Sequence, residues 1–147
     1  MRARDLAAPF PTVGLETSAL QAARLLAGSN LPGLIVVDRH GQPKTILAGT
    51  QVLRMAIPQY CIDDPTLARV IDEAHADRFL TDLADRTVAE ALPDERRELP
   101  VVGSEATVLE IAALMARTRT PLVAVVADRQ ILGAITLDAL LDRMLAT

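Results

Sequence analysis

The sequence has no tryptophan, and only one tyrosine, two phenylalanines and one cysteine in 147 residues. With Phe10, Tyr60 and Phe79 as its only phenylalanine or tyrosine side chains, it offers no series of aromatic platforms for the bases of a single-stranded nucleic acid. Cys61 has no second cysteine to pair with, so no internal disulfide can form and a reducing, cytoplasmic setting is expected. Lysine is equally scarce. Lys44 stands alone among arginines, and 19 acids against 15 bases leave a net charge of −4. No basic patch is visible, which argues against a nucleic-acid surface. Long apolar runs are missing as well. Leu34–Val37 and Leu122–Ala127 fall far short of the roughly 20 residues a membrane span needs, so no membrane insertion is expected. The opening Met1-Arg2-Ala3-Arg4-Asp5 leads into no apolar segment, and Pro9 and Pro11 interrupt the chain soon after, so no signal peptide is expected.

What is present is the composition of a folded domain: 50% hydrophobic and 23% charged residues. At roughly 100–200 residues per domain, the length fits one compact unit or two small halves packed together.

The chain repeats itself. Shifted by 89 residues, Pro11–Val37 matches Pro100–Val126 at 11 of 27 positions, among them Pro11, Val13, Gly14, Glu16, Leu20, Pro32, Val36 and Val37. After a three-residue gap the copies align again and pair Thr50 with Thr136. Two copies are too few for a solenoid and imply one duplicated supersecondary unit.

Each copy opens with a short extended piece, Thr12–Leu15 or Val101–Gly103. A helix comes next, announced by the capping-box spacings Ser18/Gln21 and Thr107/Glu110. Leu20, Ala23, Leu25, Leu26 and Ala27 give the first helix its expected apolar stripe; Leu109, Ala112, Leu114, Met115 and Ala116 do so in the second. After Pro32 and Pro121 come β-branched runs, Leu34–Val37 and Leu122–Val126, which read as strands buried on both faces. A polar turn, a third strand (Thr45–Ala48; Ile131–Ile135) and a second helix opening near Thr50 or Thr136 complete a β-α-β-β-α unit. The expected organisation is a first copy over 1–57, a helical insert over 58–86 and a second copy over 87–147. In the insert, Asp64-Pro65 is a good helix start, with Leu67, Val70, Ile71 and Ala74 at helical spacing behind it. Thr87–Leu92 occupies the place before the second copy that Ala3–Ala8 occupies before the first.

Three signals have bland explanations. Asp72-Glu73-Ala74-His75 spells the DEAH motif of helicases, but no P-loop accompanies it and Lys44 lies in none. His40, in a turn beside Gly41, and His75 are too few for the three or four ligands of a metal site. Cys61 has no partnering signature for nucleophilic catalysis and reads as a small buried thiol. No acid, base, nucleophile and metal set converges, so no enzyme activity is expected.

The duplicated unit, with Gly133-Ala134-Ile135-Thr136-Leu137-Asp138 at the end of its third strand, resembles the CBS domain. Two copies resemble a CBS pair, or Bateman module, of the stand-alone actinobacterial kind. The resemblance covers Leu6–Ile57 and Thr87–Ala146. It implies an α/β (α+β) fold of tandem repeats in a pseudo-two-fold pair, acting as a regulatory module that forms a homodimer through its helices. It further implies an adenine nucleotide (AMP, ADP, ATP) or S-adenosylmethionine bound between the copies, and a signal passed to an effector in trans, such as a transporter or enzyme.

In the second copy the resemblance points to Thr136 for phosphate, with Gly133, Asp138, Arg119, Thr120 and Pro121 around it; in the first, to Thr50, Asn30, Pro32 and Gly33. A hydroxyl and free backbone N–H groups at a helix start suit phosphate, and a carboxylate suits a ribose diol. The chain departs from the family pattern at the ribose acid, which is Ala139 in the second copy and Leu53 in the first; Leu47 also replaces the glycine. The alternative is therefore a degenerate pair that serves dimerisation or partner docking without a nucleotide.

Overall fold

The structure, a computed structural model, describes residues 1–29, 31, 33–57, 59–70, 78 and 81–146. Its described elements are α1 (Ala3–Leu6), β1 (Thr12–Gly14), α2 (Ala19–Ser29), β2 (Gly33–Val37), β3 (Pro43–Ala48), α3 (Gly49–Ala56), α4 (Gln59–Asp63), a 3-10 turn (Pro65–Val70), α5 (Val88–Ala91), β4 (Val101–Gly103), α6 (Val108–Thr118), β5 (Leu122–Ala127), β6 (Gln130–Thr136) and α7 (Leu137–Leu145). The strands form two three-stranded sheets, ordered β1-β2-β3 and β4-β5-β6. In the second, β4 runs parallel to β5 with Val101 opposite Ala124, and β6 returns antiparallel with Leu122 opposite Thr136.

The capping residues act as their spacing predicts. Ser18 Oγ accepts the Gln21 N–H at 3.1 Å, and Thr107 Oγ1 accepts the Glu110 N–H at 3.2 Å. Each satisfies one of the donors a helix start leaves unpaired. The apolar runs are buried as expected, with Leu34, Ile35, Leu122, Val123, Ala124 and Val125 all fully enclosed.

The chain divides into two compact units, and neither follows the order of the sequence. One comprises Thr12–Val36 and Ile46–Arg96; the other Met1–Pro11, Val37–Thr45 and Arg97–Thr147. The core of the former gathers Val13, Ala19, Ala22, Leu34, Val36, Leu47 and Val52 with Leu83, Val88 and Leu92. The core of the latter gathers Ile111, Met115, Val123, Val125, Ile135 and Leu140 with Ala3. The segment entering each repeat thus closes the other. Ala3 N–H donates to Ala106 C=O and Arg4 N–H to Ser104 C=O; likewise Val88 N–H donates to Thr17 C=O and Ala89 N–H to Leu15 C=O. Shifted by 85 residues on one side and 89 on the other, these are the same two bonds.

Several expectations need revision. The buried side of α2 centres on Ala19 and Ala22, with Leu20, Ala23, Leu25 and Leu26 half-buried and Ala27 exposed. That of α6 centres on Ile111 and Met115, leaving Leu109 75% exposed. These helices are apolar nearly all round, so periodicity sees the stripe but misplaces its centre by about a residue. In the first copy the second helix opens near Thr50 as expected, at Gly49, but Thr50 does not cap it. Ala48 holds the cap position, the Gln51 side-chain carbonyl accepts its N–H at 2.8 Å, and Thr50 is an exposed residue of the first turn. Asp64 does start a helical turn, its carboxylate accepting from Thr66 N–H at 3.1 Å and Thr66 Oγ1 at 2.6 Å, but the turn is of 3-10 type and α4 precedes it. Residues 71–77, with Ile71, Ala74 and the Asp72–His75 motif, lie outside the described residues.

Candidate functional site

The predicted residues of the second copy lie within one compact unit; all but Gly133, which is inside β6, sit at two connections that a hydrogen bond joins. Helix α6 ends at Arg119, whose backbone is left-handed (φ 56°, ψ 41°). The turn then reverses the chain through Thr120 and Pro121 into β5. At the other connection β6 passes into α7, and Thr136 caps that helix, its Oγ1 accepting the Ala139 N–H at 3.2 Å. The Leu137 N–H donates to the Pro121 carbonyl at 2.9 Å and ties the two turns together.

The hydrogen bonds already made at the junction decide what it can offer a ligand. Thr136 Oγ1 receives a bond there but keeps its own proton to give. The Leu137 and Ala139 amides are committed, leaving Asp138 N–H as the amide of α7's first turn that neither bond uses. Thr118 Oγ1 donates to Leu114 C=O at 2.7 Å, so in its 2.8 Å contact with Thr120 the Thr120 hydroxyl is the donor. Thr120 therefore has only acceptor capacity left. Arg119 and Asp138 are exposed.

Beside this junction an open groove of about 480 Å³ lies against α6 and α7. Arg119, Thr120 and Pro121 line it, with Leu137, Ala112, Met115, Ala116, Leu140, Leu141 and Met144 making the rest apolar. Three predicted residues thus share one wall with the start of α7. The apolar members escaped the sequence reading because their spacing looked like ordinary core stripe. The signal available was an excess of apolar residues in α7, where Leu137, Leu141, Met144 and Leu145 remain exposed.

The glycines have packing duties. Gly133 follows a bulge in which Leu132 has no partner on β5, and the Ala8 carbonyl fills the space a side chain at 133 would need. Ala8 and Ala134 exchange both backbone hydrogen bonds, at 3.0 and 2.9 Å. A Cβ on Gly33 would lie 2.7 Å from the Leu47 carbonyl. Asn30 and Pro32 lie outside the described residues.

Among the described residues no three His, Cys, Asp or Glu side chains are grouped to hold a metal, and no helix is long and apolar enough to cross a membrane. His40 is exposed in its turn, and Cys61 is buried. In that turn Asp38 accepts from the His40 and Gln42 N–H groups at 2.8 and 3.0 Å and pairs with Lys44 at 3.5 Å. The Gln42 N–H, aided by the His40 N–H and the Lys44 ammonium, holds the Asp38 carboxyl below its ordinary range.

Comparison with solved structures decides the family. A CBS domain-containing protein of unknown function from Kribbella flavida, an actinobacterium, is 51% identical, with 99% of each chain covered and a TM-score of 0.92. This chain belongs to the CBS-domain family. The CBS domain profile itself matches residues 86–146. The CBS domain of a CBS domain-containing membrane protein from Sphaerobacter thermophilus is 23% identical over 97% of this chain and 86% of that one, with a TM-score of 0.74. CBSX2, solved in complex with AMP, is 19% identical over 98% and 96%, with a TM-score of 0.65. No curated protein matches the sequence. CBS domains are in general regulatory modules, and the two sheets and their helices match the CBS-pair fold.

Proposed function

We propose that this CBS pair is a regulatory ligand sensor of the cytoplasm, without enzymatic activity, and that its second repeat binds an adenine nucleotide or S-adenosylmethionine. The observation that carries the reading is the β6–α7 junction. There Thr136 keeps a hydroxyl proton for phosphate, Asp138 N–H stands beside it, and the exposed Arg119 guanidinium lies on the turn bonded to the helix start. AMP bound to the structurally similar CBSX2 supports the choice of ligand class. Gly133 acts through packing, and Thr120 and Pro121 line the approach. In the first repeat Thr50, with Gly33, Asn30 and Pro32, forms the weaker counterpart, because its threonine does not cap the helix.

The pair works as a homodimer through α6 and α7, where Leu109, Leu141, Met144 and Leu145 leave an apolar face open. With no effector in the described residues, its output passes to a partner protein in trans, a transporter or an enzyme. Functionally, 1–57 and 87–147 are the two CBS repeats and 58–86 is an insert.

Thermal unfolding with AMP, ADP, ATP, S-adenosylmethionine or no addition tests this. A ligand that binds only the folded state adds about 2.7 kcal/mol at 100 times its dissociation constant. The expected result is a raised midpoint with at least one of them, lost in Thr136→Ala. A second reading, the interaction module without a nucleotide, is favoured by Ala139 in place of the ribose acid and by the two first-turn amides already taken. No shift with any ligand, together with a dimer broken by Leu141→Glu, would establish it.

A further inference from the structure

Helices α3 and α5 lie in one compact unit and share its core, where Val52 and Met55 pack with Val88, Ala91 and Leu92. The shared core fixes the two helices against each other. Between them, beside the start of α4, is an open cleft of about 350 Å³. That is the small end of the roughly 300–1,000 Å³ of small-molecule sites. Met55, Ala91 and Pro93 make its apolar part, and Gln51, Arg54, Gln59 and Glu90 its polar part. None of these residues belongs to the candidate nucleotide site.

The polar groups are left open in a complementary way. The Arg54 guanidinium has no ion pair among the described residues, although Glu90 borders the same cleft. Glu90 reaches Arg86 at 3.6 Å and the Thr87 hydroxyl at 3.5 Å, both too long to satisfy a carboxylate. Gln51 commits its side-chain carbonyl to the Ala48 N–H at 2.8 Å, which leaves its NH2 group to donate. Gln59 commits an NH2 proton to Asp63 at 2.9 Å, which leaves its carbonyl to accept. The cleft thus holds a cation with a donor and an anion with an acceptor, and the two charges do not pair with each other. At the places matching Arg54 and Glu90, counted from the helix caps, the other unit has Asp142 and Asp5, both acids. The pair of opposite sign is therefore no by-product of the duplication.

Opposite charges held apart across a cleft suit a ligand that carries both charges itself, because each then gains a charge-assisted hydrogen bond. A simple anion would meet Glu90 as a like charge, and a simple cation would meet Arg54 as one. We propose that this cleft binds a free aliphatic α-amino acid. Its carboxylate takes Arg54 and the Gln51 NH2 group, its ammonium takes Glu90 and the Gln59 carbonyl, and its side chain lies on Met55, Ala91 and Pro93. Thr136 belongs to the other compact unit, so this goes beyond the nucleotide reading and does not rest on it.

Amide NMR spectra of the full chain, titrated with L-alanine, L-valine, L-leucine or L-methionine up to about 10 mM, test the proposal. The expected result is that at least one of them moves the amide signals of Gln51, Arg54, Glu90 and Ala91 in a saturable way. Analogues of the tightest binder that lack the ammonium or the carboxylate (for leucine, 4-methylpentanoate and 3-methylbutylamine) should bind at least tenfold more weakly. Arg54→Gln and Glu90→Gln should each weaken the amino acid at least tenfold as well. Both side chains are exposed, so signals away from the cleft should match the parent's and report an intact fold. No movement with any of the four amino acids, or movement that survives both substitutions, overturns the site. Binding of the acid analogue as tight as that of the amino acid overturns the assignment of the ligand, since a simple anion would then suffice.

Discussion

The Ala8 carbonyl occupies the space in which a side chain on Gly133 would stand, and the neighbouring residue Ala134 exchanges two hydrogen bonds with Ala8. This contact locks the entry segment of the first repeat onto the last strand of the second. It also gives Gly133 a reason to be glycine before any ligand is considered. In the first copy Leu47 holds that position and Pro93, which has no N–H, stands where Ala8 would. The main-chain lock therefore belongs to one repeat only.

Gly133→Ala should accordingly push the entry segment off its strand. We expect a loss of about 1–3 kcal/mol, as for other overpacked sites, with hydrogen exchange accelerated at Ala3, Arg4 and Ala8. Gly103→Ala is the matched control. Nothing lies within 4 Å of a Cβ there, so chemical denaturation should find it unchanged within about 0.5 kcal/mol.

Ile111 tests where the core lies. It is fully buried between α6 and the β4–β6 sheet, whereas Leu109, two positions away, is 75% exposed. Ile111→Ala should cost about 2–5 kcal/mol. Leu109→Ala should cost less than about 0.5 kcal/mol in the single chain. Urea titration of the two variants checks the contrast.

The Thr136 cap has a structural value that any binding experiment must separate from its ligand role. Thr136→Ala removes the acceptor for Ala139 N–H and should cost about 1 kcal/mol without any ligand. Thr50→Ala should cost less, because Thr50 holds no cap. Thermal midpoints of the two variants without ligand read this difference directly.

Asp38 gives the turn between β2 and β3 a pH dependence. Its folded pKa lies below the ordinary 3.8, so its stabilisation is complete above that value and is lost as pH falls through the lowered folded pKa. Denaturation midpoints measured from about pH 5 down to about pH 2 should fall less steeply in Asp38→Asn than in the parent.

Much of this was legible in the sequence. The capping spacings at Ser18 and Thr107 fixed two helix starts, and the apolar runs after Pro32 and Pro121 fixed the central strands. The likeness of Thr87–Leu92 to Ala3–Ala8 was visible, but the exchange of the two segments was not, because it rests on backbone bonds to Ala106, Ser104, Thr17 and Leu15 that no side-chain pattern announces. The faces of α2 and α6 were misplaced because helices rich in alanine and leucine are apolar on more than one side. At the candidate site Thr136, Arg119, Thr120 and Pro121 could be named in advance. Which of their protons were already committed could not, since that depends on Thr118, Leu114 and Leu137.

Calorimetric titration of AMP, ADP, ATP and S-adenosylmethionine, each into the parent chain, Thr136→Ala and Thr50→Ala, tests the sensing account most directly. The account predicts measurable heat with the parent, affinity reduced at least tenfold in Thr136→Ala, and affinity within about twofold of the parent in Thr50→Ala, where a tenfold change corresponds to about 1.4 kcal/mol. Equal affinity in all three chains for the ligand that binds, or no binding of any of the four by a folded parent chain at millimolar concentration, would contradict it.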